Sequence, residues 1–391
     1  MKDDEYLLNP SNLSASYVSK TEIIMNVVLT LEARTDSIQW RQLWSLAALY
    51  GSIVIGWIAY QNYQPKLLEK FHFTEFTLFL AIAQGLILIV TPPVAGKIGD
   101  RFRVKQGHRL PIITLGISFA AMVFMAVAFT LFTNPGEIFR WILPVLIIFW
   151  LIAMSIFTSP ALSTIELFTP IERMPKAMAL LTIVGNLLYA LEPVIVDIID
   201  FLGAPLTFVT GGLVVFLAGY LLRENSLSLF KQKRDFVKAR LEDSGERQWS
   251  FIFMMGIGMG LATSVMFNLF PPVYNSLLGV DGKWMLVMIL VLSAALSMPL
   301  SNVVNRLGLR RSFFRGMVVV LMSMAAIFMA GSAWLLILLT IIFTVVYTIL
   351  SVSTLPLAIQ LARGDEKVFC VGIFFSGVAL PDAVIQILMN L

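Results

Sequence analysis

The sequence is poor in charge and almost without cysteine and histidine. Of its 391 residues 13% are charged, one is a cysteine, Cys370, and two are histidines, His72 and His108. A lone cysteine excludes an intramolecular disulfide and a cysteine metal cluster. No Gly-x-x-x-x-Gly-Lys-Ser/Thr segment occurs, which argues against a chain that hydrolyses ATP itself. The chain opens Met1-Lys2-Asp3-Asp4-Glu5, acidic where a cleaved signal is basic, so no such signal is expected.

What is present is apolar. Hydrophobic residues make up 58% of the chain, more than a soluble core of this size needs or its surface tolerates, so lipid is the expected solvent. The formal charge of +4 would suit an acidic partner such as nucleic acid, but the bases fall in short segments between apolar runs. They read as determinants of membrane topology, and no nucleic-acid partner is expected. Residues 1–42 form a polar tail whose one apolar stretch, 23–31, is either a helix lying on the membrane surface or part of a mobile segment.

A helix crosses the hydrocarbon core with about 20 apolar residues. Stretches 43–65, 76–96, 110–134, 141–165 and 201–222 qualify, and 177–199 joins them despite Glu192 and Asp197. The second half offers 249–275, 284–304, an uncharged run over 316–362 that must fold back at Gly331-Ser332, and 368–391. That is eleven crossings. With the N-terminus cytoplasmic, 24 of the 28 Lys and Arg lie on that side, leaving Lys66, Lys70, Arg140 and Lys283 outside. Residues 43–223 are expected to form a six-helix bundle, 224–248 a cytoplasmic linker, and 249–391 a bundle of five helices.

Each half carries a basic loop after its second span. The first runs Gly96-Lys97-Ile98-Gly99-Asp100-Arg101 to Gly107-His108-Arg109-Leu110-Pro111, and the second contains Asn305-Arg306-Leu307-Gly308-Leu309-Arg310-Arg311. The same device at the same place marks an internal repeat. Glycines permit close approach, an acid or amide caps a helix end, and arginines reach acids across a bundle interface.

The first loop resembles the signature of major facilitator transporters, in the version shared by glycoside-pentoside-hexuronide:cation symporters and sucrose/proton symporters. Gln84-Gly85 with Pro92-Pro93 and Gly96 resembles the second helix of the sucrose type. Pro160-Ala161-Leu162, Glu166-Leu167, Pro170, Glu172-Arg173, Ala177 and Gly185-Asn186 resemble its join between the fourth and fifth helices, and Leu380-Pro381-Asp382 its eleventh. The family usually has aspartate at the place of Glu166, glutamine at that of Asp382 and arginine at that of His108, and it has a twelfth helix that these residues do not include.

The resemblance implies an all-α major facilitator fold in which substrate binds between two bundles, with no cofactor and no metal. Acids within spans are functional candidates, because a charge there costs at least a few kcal/mol. Glu192 and then Asp382 are the candidate proton-coupling groups. Asn186, Tyr189, Asp197 and Asp200 share a broad helical sector with Glu192, although Asp197 and Asp200 belong to a wet outer mouth; Asp382, Gln386 and Asn390 form a second stripe. Ser264, Asn268, Pro271 and Asn275 stack on the seventh span beside Tyr274, while Tyr60, Gln61 and Gln84 offer similar chemistry in the first half. Aromatic faces with scattered amides suit a neutral sugar or glycoside. The expected cytoplasmic gate comprises Asp100, Arg101, Arg109, Glu166, Arg173, Arg306, Arg310 and Arg311. Sodium is disfavoured as coupling ion, because the melibiose-type relatives carry paired acids in the second helix and 76–96 has none. The alternatives are export of another organic solute and a non-transporting assembly role, since light-harvesting assembly factors resemble the same group. No span pairs a nucleophile with a base, so no enzyme is expected.

Overall fold

The computed structural model describes residues 37–70, 77–132, 137–231 and 246–389. Most of the polar tail, much of the linker and His72 therefore lie outside the described residues, and with them the two readings of 23–31. Among the described residues there is no strand. The long helices are α1 (Trp40–Lys70), α2 (Thr77–Gln106), α3 (Leu110–Phe132) and α4 (Glu137–Leu162), then α6 (Met174–Ala190) and α7 (Glu192–Lys231) after the one-turn α5 (Ile165–Phe168). The second half comprises α8 (Trp249–Asn268), α9 (Phe270–Leu278), α10 (Gly282–Leu307), α11 (Leu309–Phe328), α12 (Ala333–Leu361) and α13 (Lys367–Met389).

Among the described residues ten helices are long and apolar enough to cross a membrane. The 40-residue α7, one of the ten, is two helices joined end to end, because Gly203 turns the chain at φ 73°, a region open to glycine, and Pro205 restarts it. Its first part continues α6. The predicted fifth span is thus one pass with a break at Leu191, where Pro193 has no N–H to offer the carbonyl of Tyr189. Followed this way, the described residues make eleven passes. The predicted turn at Gly331-Ser332 falls between α11 and α12, and α11 starts seven residues earlier than its uncharged core, directly after Gly308 at φ 85°.

Helices α2 and α13 pack along their length, and α6 packs on α10 and α12; these contacts join the two halves of the chain. Small residues make the approach close. A Cβ on Gly96 would lie 2.5 Å from the carbonyl oxygen of Val368, and one on Gly372 would lie 2.3 Å from that of Pro92. The pair Pro92-Pro93 also explains a bond: Pro93 cannot donate to the carbonyl of Ile89, and the hydroxyl of Ser376 on α13 donates there instead.

On its other side α13 meets α8 through Gly256 and Gly260, one turn apart, whose Cβ atoms would each lie 2.2 Å from the carbonyls of Phe374 and Val378. Gly260→Leu is therefore expected to lower stability by about 1–3 kcal/mol through overpacking. Thermal unfolding of the detergent-solubilised protein reads this directly. A midpoint equal to the wild type would show that the two helices separate freely.

Candidate functional site

At the face where α1 begins, here called the basic face, five ionic side chains are enclosed. Arg103, Arg109, Glu166 and Lys367 are at most 3% exposed and Asp100 is 7% exposed. They meet because α2 continues as helix to Gln106, which sets Gly96, Gly99, Asp100 and Arg103 on one buried face. Positive-φ Gly107 then turns the chain so that α3 starts beside Arg109.

Glu166 is the hub. Its Oε1 lies 2.5 Å from Nη2 of Arg109 and 3.8 Å from Nη2 of Arg103, and its Oε2 lies 3.0 Å from Nζ of Lys367. Arg109 also donates to the hydroxyl of Ser163 at 2.7 Å. Arg103 donates to Asp100 and to the carbonyl of Gly364, each at 3.1 Å. The Asp100 carboxylate accepts from the backbone N–H groups of Val368 at 3.2 Å and Phe369 at 2.8 Å, so an acid of the first half caps α13 of the second. Among the described residues three cations of this cluster face two carboxylates, and the arginines lie beside the carbonyl-rich C-terminal ends of α2 and α4, where helix dipoles favour positive charge.

The linker end is tied to the same place. Arg247 pairs with Glu366 at 3.2 Å and covers the ring of Trp249 at 5.1 Å, while the indole N–H of Trp249 donates to Glu366 at 3.1 Å.

Of the eight residues expected at a gate, the structure brings Asp100, Arg109 and Glu166 together. Arg101, Arg173, Arg306, Arg310 and Arg311 are exposed and make no ion pair with a described residue. The reason for Arg101 is register: on a continuing helix it turns away from the face shared by Asp100 and Arg103. In the second loop Asn305 stands where Asp100 stands in the first, so its arginines find no acid. Sequence reasoning missed Arg103, although its spacing of three from Asp100 was a visible signal, and it missed Lys367, read only as a topology charge.

Halfway along the helices, the contact between the halves is lined with hydroxyls and amides. Asn186 of α6 donates to the hydroxyl of Ser293 on α10 at 2.8 Å, and Thr348 of α12 donates to the same oxygen at 2.8 Å. The hydroxyl of Tyr347 lies 3.3 Å from that of Thr263. The ring of Tyr50 packs on Gly185, where a Cβ would lie 3.0 Å from its hydroxyl. Tyr189 stacks at a tilt on Phe267, 5.5 Å between centroids, and is within electrostatic reach of Tyr50, Tyr347, Glu192 and Asp382. Asp382 faces the side chains of Asn268 and Ser264. Glu192 is half-buried and is influenced by Lys283 at the opposite face.

Tyr189 thus lies within reach of both acids, Asn268 faces Asp382, Asn186 is bonded across the halves to Ser293, and Gln386 lies one turn beyond Asp382 on α13. The other expected ligands sit elsewhere. Tyr60 donates to Gln84 at 3.0 Å and stacks on Trp150 inside the first half, and Gln61 is exposed. Tyr274 is buried with its hydroxyl 3.1 Å from that of Thr340, and exposed Asn275 accepts from the N–H of Gly282 at 2.5 Å, which holds the turn into α10. Tyr50, Ser293, Tyr347 and Thr348 were missed. The stripe Thr340, Thr344, Tyr347, Thr348, Ser351 at helical spacing was the available signal on α12.

The profile of the Major Facilitator Superfamily matches residues 46–384. The chain belongs to that superfamily. It is accordingly an integral, multi-pass membrane transporter rather than an enzyme. No curated relative matches it in sequence. Solved structures share its fold: that of the human organic anion transporter MFSD10 (TETRAN) aligns with a TM-score of 0.69 at 11% identity, covering 91% of this chain and 94% of that one. The major facilitator proton:xylose symporter XylE bound to 6-bromo-6-deoxy-D-glucose aligns at 0.61 and 11% identity, covering 89% and 88%. Identities this low speak for the fold alone.

Proposed function

We propose that the protein carries a neutral sugar or glycoside together with a proton, importing both by alternating access. The observation that supports this most is the chemistry between the halves. Hydroxyls of tyrosine, serine and threonine, two amides and two carboxyls line that contact, while among the described residues Lys283, which acts on Glu192, is the one cation felt by either acid. Neutral hydroxyl-rich solutes match such donors and acceptors, whereas an organic anion needs a fixed positive charge at its carboxylate. A carboxyl away from water is neutral at low cost, which suits a group that takes up and releases a proton. The name of the proton:xylose symporter that shares the fold is consistent with this reading.

In this proposal the bundles 43–223 and 249–391 rock about the midplane, joined by the linker 224–248, with the N-terminus and the basic face cytoplasmic. The enclosed cluster of Asp100, Arg103, Arg109, Glu166 and Lys367 is the cytoplasmic gate. Its contacts across the halves must break when the cavity opens inward.

Substrate class is tested by counterflow in vesicles of purified protein preloaded with one unlabelled solute of a panel of pentoses, hexoses, disaccharides, aryl glycosides and organic anions. Counterflow with a member of the sugar set and none with the anions is the expected result. Counterflow with anions alone overturns the sugar reading.

A further inference from the structure

Positive charge without a counter-charge surrounds the turn between α10 and α11. Arg306, in the last turn of α10, and Arg310, Arg311 and Arg315, at the start of α11, are exposed, and none makes an ion pair among the described residues. No aspartate or glutamate occurs between Asp281, at the far end of α10, and Asp365. The first acids after that gap are engaged, Asp365 with Arg363 at 3.3 Å and Glu366 with Arg247 at 3.2 Å. The first half fills the same turn differently, since Asp100 and Glu166 hold Arg103 and Arg109 there. With Asn305 in the place of Asp100, the second turn keeps the cations and lacks their anions. The first turn of α11 has no acid and no side-chain cap, so its free N–H groups add to the charge of Arg310 and Arg311.

The patch borders lipid. Arg311 and Arg315, one turn apart, share a stripe of α11 with Val318 and Met322, which are 57% and 67% exposed, and on α10 Arg306 adjoins the exposed Leu307. In a chain that crosses the membrane such apolar residues face hydrocarbon, so the arginines stand at the depth of lipid headgroups. The residue type is also selective. Membrane topology requires positive charge, which lysine supplies as well as arginine, whereas the planar guanidinium fork matches two oxygens of a phosphate. All four bases of this turn are arginine, while the exposed bases of the first turn are Lys97, Arg101 and Lys105.

We infer that this turn is a binding surface for anionic phospholipid, whose phosphate is held by Arg306, Arg310, Arg311 and Arg315 while its acyl chains lie along the outward faces of α10 and α11. Basic clusters of this size beside a membrane helix are recognition sites for acidic headgroups. An acidic protein segment would match the charge but not the apolar stripe that runs on from it into the bilayer. The surface is independent of the proposed sugar path, because its residues belong neither to the enclosed ionic cluster nor to the contact between the halves.

Full-length protein in neutral detergent is titrated with dioleoylphosphatidylglycerol or dioleoylphosphatidylcholine, and bound lipid is counted by native mass spectrometry. Phosphatidylglycerol is expected to bind at least about tenfold more tightly, to saturate at a few copies, and to weaken as salt rises. Arg310→Gln combined with Arg311→Gln is expected to weaken its binding about 20-fold, at about fivefold for each charge. Arg101→Gln combined with Lys105→Gln, which removes two exposed bases of the first turn, is expected to change it less than about twofold. Equal binding of the two lipids, or equal losses in the two paired variants, would overturn the site. Glycerol 3-phosphate, which offers the phosphate without acyl chains, is expected to leave the lipid bound, and displacement at equal concentration would overturn the lipid as the ligand. Because loss of arginine can disturb membrane insertion, Arg310→Lys combined with Arg311→Lys serves as a variant of unchanged charge. It is expected to bind about threefold more weakly than wild type, and equal affinity would overturn recognition by the guanidinium fork.

Discussion

Glu166→Gln is expected to cost about 3–5 kcal/mol of stability, the loss typical when one member of a buried ion pair is removed and its partners stay charged. The arithmetic of charge drives this. Glu166 holds Arg109 at 2.5 Å and Lys367 at 3.0 Å, with Arg103 at 3.8 Å, and all four side chains are almost wholly enclosed. Without its carboxylate, Asp100 is the one acid of this cluster, among the described residues, that still faces the three cations. Adding Lys367→Met to Glu166→Gln removes the cation that faced the lost carboxylate and is expected to recover part of the loss, a non-additivity that marks direct contact. Thermal midpoints of the two single variants and the double variant in detergent measure it. Strict additivity would place Lys367 outside the cluster.

The second large effect concerns coupling. Asp382→Asn is expected to reduce gradient-driven accumulation by at least about tenfold while leaving counterflow intact, because a group that only couples affects the uphill process and not exchange. Glu192→Gln is expected to have the smaller effect, a reversal of the order that the sequence suggests. The physical ground is the partner set. Asp382 faces Asn268 and Ser264, with no described cation acting on it, whereas Lys283 acts on Glu192, which lies nearer the opposite face. A carboxyl with a cation nearby stays charged more readily than one held by neutral hydrogen bonds. Accumulation assays of the two variants in parallel decide the order, and full accumulation by Asp382→Asn would remove that residue from the mechanism.

The spans were legible because apolar run length is a property of the chain alone. Lipid leaves backbone groups no other partner than the helix, so a run such as 110–134 has one outcome. Breaks inside spans were harder. Leu191 interrupts a predicted span and only Pro193 in the sequence hints at it, whereas the turn at Gly203 falls beside the predicted boundary between 177–199 and 201–222. At the basic face, Glu166 and Arg109 stood out as motif positions. Arg103 and Lys367 did not, because their significance depends on α2 remaining helical past the membrane edge and on α13 starting beside it.

Between the halves the difficulty was of another kind. Charge in an apolar run is conspicuous, so Glu192 and Asp382 were found, but hydroxyls are not. Tyr347, Thr348 and Ser293 sit in stretches that hydropathy reads as uniformly apolar, and their convergence comes from α6, α10 and α12 meeting. Tyr274 and Asn275 show the converse. Spacing placed Asn275 on a polar stripe with Tyr274 beside it, yet the break at Leu269 before Pro271-Pro272 starts a new helix, α9, and directs them to structural bonds with Gly282 and Thr340.

The most direct test of proton-coupled import is accumulation of the counterflow-active sugar by vesicles of purified protein under an imposed inward proton gradient, with a protonophore as the control. The account predicts that the sugar inside rises above its outside concentration and falls back to equality when the protonophore is added. Equilibration to equal concentrations regardless of the gradient would contradict it.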